Sequence, residues 1–227
     1  MNVIQKIFYK IVGLNPLLDR FVRYRKPREY WQKRGGDDYF EEQEVAHHRT
    51  LRSQFIAEEI KKLSFDSLLE IGCGYGKQLK NIASNGSFVV GCDFSRPQLI
   101  KAKEFCGGIN IHFVEADVET LPFGDKTFDA AFSSAVILHN DFDKAKKIIS
   151  EMIRVSRKYL IHNEDTDITF SRYGYDMRKT YEKMNFKIVE SKEIPYSPDP
   201  SITQFTIAEL SDAAQYIKPQ DITLQYH

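Results

Sequence analysis

The chain has 227 residues, of which 42% are hydrophobic and 28% charged, ordinary values for a globular fold with a full buried core. Its 32 basic and 32 acidic residues cancel, so there is no global attraction to nucleic acid. No apolar run reaches the 18 residues or so that a spanning helix needs, and the N-terminus lacks the apolar stretch and small-residue cleavage site of a signal peptide. The charge is nonetheless uneven. Residues 1–34 hold nine Lys or Arg against two Asp or Glu, a net of +7, which leaves −7 on the remainder. Cys73, Cys92 and Cys106 are odd in number and lack Cys-x-x-Cys spacing, which predicts reduced thiols and a cytoplasmic protein.

Apolar residues from Ile4 to Val22 recur at helical spacing, with Gly13 and Pro16 interrupting them. Lys6, Lys10, Arg20 and Arg23 lie on the polar side, and Arg25, Lys26 and Arg28 follow. Two partners suit such a basic helical pair. One is protein, either the main domain or a second copy of the chain in a homodimer. The other is an anionic inner-membrane surface touched peripherally through residues 1–28. The segment Tyr30 to Phe40 mixes aromatics with charge around Gly35-Gly36 and reads as a lid or capping loop. This predicts an extension over residues 1–40 and a main domain over residues 41–227. Residues 41–63 read as one helix with an apolar face of Val45, Leu51, Phe55, Ile56, Ile60 and Leu63. His47 and His48 are adjacent, so they point to different sides, and no metal site is expected.

The run Leu68-Leu69-Glu70-Ile71 then breaks into Gly72, Gly74 and Gly76, after which Leu79, Ile82 and Ala83 open a helical pattern. A buried strand, a tight turn and a helix follow from this. Glycine lets a ligand press against the backbone, and the N–H groups of the next helix favour negative groups. The spacing departs from the dinucleotide G-x-G-x-x-G, because Lys77 stands where the third glycine would be, and Gln78 replaces the hydroxyl of a P-loop. The string Leu69-Glu70-Ile71-Gly72-Cys73-Gly74-Tyr75-Gly76 instead resembles motif I of class I S-adenosylmethionine-dependent methyltransferases. The alternative is a strand, turn and helix that hold no ligand. The resemblance implies that the turn backbone, with Cys73 in it as a small residue, serves the methionine part of the cofactor. Glu70 would order the loop or reach the methionine amino group through water. Tyr39, in the aromatic segment, becomes a candidate contact to that same part.

Phe88 to Asp93 is the second strand, and Asp93 lies roughly 20 residues past the glycines, where an αβ nucleotide fold puts a carboxylate on the ribose hydroxyls. A carboxylate can accept from both hydroxyls of a vicinal diol. On its own, Asp93 reads equally as an acid near a helix N-cap. Gly91-Cys92-Asp93-Phe94-Ser95 resembles motif II of the family, which implies that Phe94 lies against the adenine. Ile109 to Val114 is strand three, and Asp117-Val118 with Leu121-Pro122-Phe123 resembles motif III. There the resemblance implies that the Asp117 carboxylate accepts from the adenine amino group and the Val118 N–H meets the ring.

Strand four runs from Phe128 to Ser134, so Ser133 and Ser134 fall at its carboxyl end, where open α/β sheets bind ligands. They are expected to approach the methionine part of the cofactor. His139 lies just beyond; it reads either as a general base for a substrate hydroxyl or as a packing or capping residue at a helix start. Asp143 to Ser156 is an amphipathic helix and Lys158 to His162 strand five. The run from His162 to Asp167 is expected as a polar loop facing the substrate, with Glu164 and His162 as further candidate bases; its bland reading is a solvated loop. A tyrosine-rich helix from Ser171 to Asn185, strand six (Phe186 to Glu190), the loop Pro195 to Pro200 and strand seven (Ile202 to Ile207) complete the pattern, and the tail from Ser211 carries no motif.

Alternating strands and helices predict an α/β fold. The resemblance, which covers about residues 45–210, specifies a Rossmann-like, seven-stranded, mostly parallel sheet in a three-layer αβα sandwich, with an N-terminal helical extension outside the shared core. It implies binding of S-adenosylmethionine, release of S-adenosylhomocysteine and in-line methyl transfer. No Asn/Asp-Pro-Pro-Tyr/Phe motif stands near Ser133, so nucleic-acid bases are disfavoured as acceptors. The acids and the tyrosine-rich helix suit a small polar acceptor, such as a sugar or glycan precursor methylated on oxygen. The alternatives are N-methylation or aminopropyl transfer on a small amine, or a non-catalytic cofactor-binding subunit.

Overall fold

The computed structural model describes residues 27–35, 37–45, 47–83, 86–168, 172–194, 203–211 and 217–226. The expected helical pair over residues 2–24, the Pro195–Pro200 loop, Ile202 and Tyr216 lie outside them. Three helices come first: α1 (Pro27–Arg34), α2 (Asp37–Val45) and α3 (His47–Lys61). Then follow β1 (Ser67–Ile71), α4 (Lys77–Ile82), β2 (Phe88–Asp93), α5 (Arg96–Phe105), β3 (Ile111–Glu115), β4 (Phe128–Ser134), α6 (Phe142–Val155), β5 (Ser156–Asp165), α7 (Met177–Lys183), β6 (Lys187–Glu193) and β7 (Thr203–Glu209).

The sheet runs β3-β2-β1-β4-β5-β7-β6. Strands β1 to β5 are parallel to their neighbours, and β7 enters antiparallel between β5 and β6. This is the seven-stranded, mostly parallel sheet that the resemblance implied. The strands are apolar on both faces because each face carries helices. Leu68, Val89, Ala130 and Ile161 pack toward Ile56 and Ile60 of α3 and Leu79 of α4. Their successors Leu69, Val90 and Ala131, with Leu160, face Ile148, Ile149 and Met152 of α6. Strand alternation of period two thus divides one sheet between two cores. Helix α6 is started by the Asp141 side chain, which accepts from the Lys144 N–H.

Three expectations change in detail. Residues 41–63, read as one helix, are described as α2 and α3 on either side of residue 46, and Val45 of the expected apolar face is 86% exposed. The tyrosine-rich helix shortens to α7, and Tyr175 and Tyr181 are fully buried core residues, with Tyr175 donating to the Asn140 carbonyl. They therefore offer no acceptor surface. Most consequentially, β5 continues to Asp165 because β7 pairs with it along its whole tip: His162 with Thr206, Glu164 with Gln204, Asp165 with Thr203. The polar run expected as a loop is half strand.

Among the described residues, no helix is long and apolar enough to cross a membrane. Among them also, no group of three His, Cys, Asp or Glu side chains is arranged to hold a metal ion.

Candidate functional site

The carboxyl ends of β1, β2, β4 and β5 open into a cavity of about 400 Å³, covered by residues of α1, α2 and α3. This is where ligands bind in open α/β sheets, and the volume suits a small organic molecule. The turn after β1 forms one wall. Gly72 has φ +62°, and a Cβ there would stand 2.5 Å from Val136 Cγ2. Gly72→Ala is expected to cost about 1–3 kcal/mol, from the left-handed backbone and the overlap together. A urea midpoint that falls with unchanged slope would register it. Gly74, at φ +53°, differs: a Cβ there would meet only Gln98 Oε1, at 3.9 Å. The space above Gly74 is open to a ligand.

Asp93 ends β2 with both carboxylate oxygens on backbone donors, Gly74 N at 3.0 Å and Ser95 N at 2.7 Å. It ties the glycine turn to the start of α5. Burial pushes its pKa up to about 6, against the pull of those N–H groups. Glu70 lies on the cavity wall and is 2% exposed. Burial, with the negative charge of Asp93 beside it, holds its pKa well above the carboxylate range. Glu70 Oε2 and Gln98 Oε1 are buried acceptors without a donor among the described residues. Both residues line the cavity. Buried acceptors are almost always satisfied, so this wall fits a ligand that brings N–H or O–H donors. Cys73 also lines the cavity, but burial and the acids nearby push its thiol well up, which leaves it an inert small residue.

The rest of the expected nucleoside wall is arranged around a residue that sequence reading missed. Arg28 of α1 pairs with Asp117 at 3.0 Å, and its guanidinium lies 5.6 Å over the Phe94 ring. Phe94 lines the cavity; Asp117, Val118, Ser95 and Gly76 do not. Asp117 uses its other oxygen to accept from Glu119 N. Ser95 Oγ donates to the Trp31 carbonyl, which fastens α1 to α5.

Alternation along β5 divides the expected bases. Asn163 and Asp165 line the cavity, whereas His162 and Glu164 point to the other face and are fully buried. Glu164 Oε1 accepts from Ser133 Oγ at 2.8 Å and from the N–H groups of Val136 and Ile137, and Oε2 accepts from Leu138 N. It caps the short helical turn Ile137–His139. Since Ser133 gives its proton to Glu164, His162 Nδ1–H donates to Ser133 Oγ (2.8 Å) and Tyr181 O–H donates to His162 Nε2 (2.6 Å). Burial lowers the His162 pKa to about 3, so the imidazole is neutral. This closed chain of hydrogen bonds is a structural floor. It corrects the expectation that His162, Glu164 and Ser133 face the substrate. Ser134 does line the cavity and accepts from Asn163 Nδ2 at 2.7 Å.

His139 stands on the cavity wall, held there by the turn that Glu164 caps. Trp31 of α1 lies 6.4 Å from its ring and 5.1 Å from that of Tyr39 on α2. Both aromatics line the cavity, so the lid segment supplies part of its cover. Arg49 and Arg52 of α3 and Arg172 complete the wall near Asp165. The i,i+3 spacing of Arg49 and Arg52 was the available signal, since such residues share a helix face.

The family model for a methyltransferase domain matches residues 68–159, the span from β1 into β5. Demethylmenaquinone methyltransferase of Clavibacter sepedonicus is 28% identical over 137 residues, 58% of this chain and 55% of that protein. Malonyl-[acyl-carrier protein] O-methyltransferase of Buchnera aphidicola is 31% identical over 131 residues, 56% of this chain and 49% of that one. The chain thus spans about half the length of these curated relatives. In fold it resembles magnesium protoporphyrin IX methyltransferase from Synechocystis with bound S-adenosylhomocysteine, at a TM-score of 0.62 and 19% identity, covering 86% of this chain and 99% of that one. Strand order, a glycine turn tied to the carboxylate of the second strand, and the matched span agree: the chain belongs to the class I S-adenosylmethionine-dependent methyltransferases.

Proposed function

We propose that this chain binds S-adenosylmethionine in the cavity and transfers its methyl group to an oxygen of a small polar acceptor, such as a sugar or glycan precursor presents. The observation that carries the reading is the pair of donor-starved acceptors, Glu70 Oε2 and Gln98 Oε1, on the same wall as Asp93 and the open face of Gly74. The ammonium and ribose hydroxyls of such a ligand are the donors that this wall lacks. When bound, the cofactor supplies an electrophilic methyl on a positively charged sulfur.

The residues of the chain have separate tasks. Each Asp93 oxygen already accepts one N–H and keeps a second lone pair, which leaves one acceptor for each hydroxyl of a diol. Trp31 and Tyr39 exclude water above the reacting atoms. His139, on the same wall, takes the proton from the acceptor hydroxyl as that oxygen becomes the nucleophile. The protein's main contribution is alignment.

Asp93→Ala should weaken S-adenosylmethionine binding about 10–100-fold, the worth of one or two hydrogen bonds to a charged group. Calorimetry that showed unchanged affinity would remove Asp93 from the ribose role. Because the Asp93 pKa lies at about 6, affinity should be flat above neutrality. Protonation removes the acceptor, so below that pKa affinity should fall by up to about tenfold per pH unit. The activity itself is tested by tritium transfer from labelled S-adenosylmethionine into hydroxylated metabolites, glycans and amines. Transfer to amines alone would replace the oxygen acceptor with nitrogen.

A further inference from the structure

We propose that the acceptor carries an anionic group, a carboxylate or a phosphate, held by Arg49, Arg52 and Arg172. This rests on the methyl-transfer reading and names the acceptor class. The three guanidinium groups converge on the cavity from two parts of the chain, α3 and the segment after β5. Facing them from the β5 tip is Asp165, which is already engaged. Its Oδ1 accepts from Thr203 Oγ1 at 2.7 Å and lies 3.8 Å from Arg52 Nη2, and its Oδ2 contacts Arg172. One carboxylate is therefore shared between two arginines. Arg52 spends Nη2 on Asn163 Oδ1 at 3.3 Å, and its Nε is shielded from water without an acceptor among the described residues. Arg49 forms no ion pair among the described residues.

The neighbouring charges leave this excess in place. Lys77, also on the wall, is paired with Glu44 at 2.8 Å. Glu164 lies behind Asp165, saturated by Ser133 and three N–H groups. Glu42 of α2 reaches the cavity from the lid. Glu70 and Asp93 belong to the glycine-turn wall, at the ends of β1 and β2. Three fixed cations against one shared carboxylate at the β4–β5 end form a site for an anion, and guanidinium groups bind carboxylate and phosphate in the plane of their fork. The cofactor has a single carboxylate, which one cation satisfies.

The test uses the whole chain saturated with S-adenosylhomocysteine, with benzoate, phenyl phosphate and neutral benzamide as probes of matched shape, followed by calorimetry. At least one anion should bind about tenfold tighter than benzamide, and Arg52→Gln and Arg172→Gln should each erase about 10–100-fold of that binding. Their affinity for S-adenosylmethionine should stay within about twofold of the unaltered chain. Preference for benzoate assigns a carboxylate, and preference for phenyl phosphate assigns a phosphate. Arg49→Gln, which leaves the Asp165 contacts intact, gives the same readout should either variant fail to fold. Equal binding of benzamide and the anions, or no probe binding, overturns the proposal. So does a loss of cofactor affinity in place of anion affinity, which would assign the arginines to the methionine carboxylate. A chain that fails to bind S-adenosylmethionine but still selects anions would instead sink the methyl-transfer reading alone.

Discussion

His139→Ala should lower kcat by about 10²–10⁴, the usual worth of a positioned general base, with cofactor affinity within about twofold of the unaltered chain. The expectation rests on location. His139 is on the cavity wall, whereas the other two candidate bases, His162 and Glu164, are sealed beneath it. An imidazole titrates near neutrality and can hold a hydroxyl proton during transfer. The acidic limb of the pH–rate profile should vanish in the variant together with the rate. Activity kept within a few-fold would mean that the acceptor is already ionised when it reacts and that His139 only shapes the wall. The Trp31 ring, 6.4 Å away, would then be its chief neighbour of consequence.

Glu164→Ala should be the most destabilising single change at the site. It strands three backbone N–H groups and the Ser133 hydroxyl in a fully buried position. Removing a buried, hydrogen-bonded charge costs about 3–5 kcal/mol. At roughly 2–4 °C per kcal/mol for a chain of this size, Tm should drop by about 6–20 °C. The pH dependence has a definite sign. Burial pushes the folded-state pKa up to about 7, above the ordinary carboxylate value. Between those values the folded state holds a proton that the unfolded chain has released. Stability therefore falls as pH rises through that window and levels off above it. Asp93, at about 6, adds a slope of the same sign. In Glu164→Gln the Asp93 share should remain and the rest disappear; an unaltered slope in urea titrations would contradict the assignment.

The features that the sequence announces most clearly are those with a strong local period. The glycines after β1 and the apolar runs of β1, β2 and β4 lead directly to the central strands and to Gly72, Gly74 and Asp93. The tip of β5 was harder to read. His162-Asn163-Glu164-Asp165 is as polar as a loop, and only the pairing with β7 makes it a strand. Once it is a strand, period two separates Asn163 and Asp165 on the cavity from His162 and Glu164 beneath it. No local signal carries that pairing, because the partner strand is some forty residues away. Arg28, Arg49 and Arg52 were hidden for a different reason. Helices are read by their apolar faces, and the polar face looks like solvated surface until a second layer is placed opposite. The tyrosines after Gly174 err the opposite way: they looked available for recognition, and they fill the core.

The insertion of β7 has a consequence for how the protein is made. The wall that carries Asn163 and Asp165 is held by residues 203–209, close to the end of the chain. Strands β1 to β4 can pair as soon as they leave the ribosome, since each parallel partner is near in sequence. The β5 tip must wait for β7, with its charged and hydrogen-bonding side chains unpaired in the meantime. A nascent chain can therefore complete the glycine-turn wall well before the anion-binding end exists. Truncations that remove β7 should leave a chain that retains much of its sheet but lacks one side of its cavity.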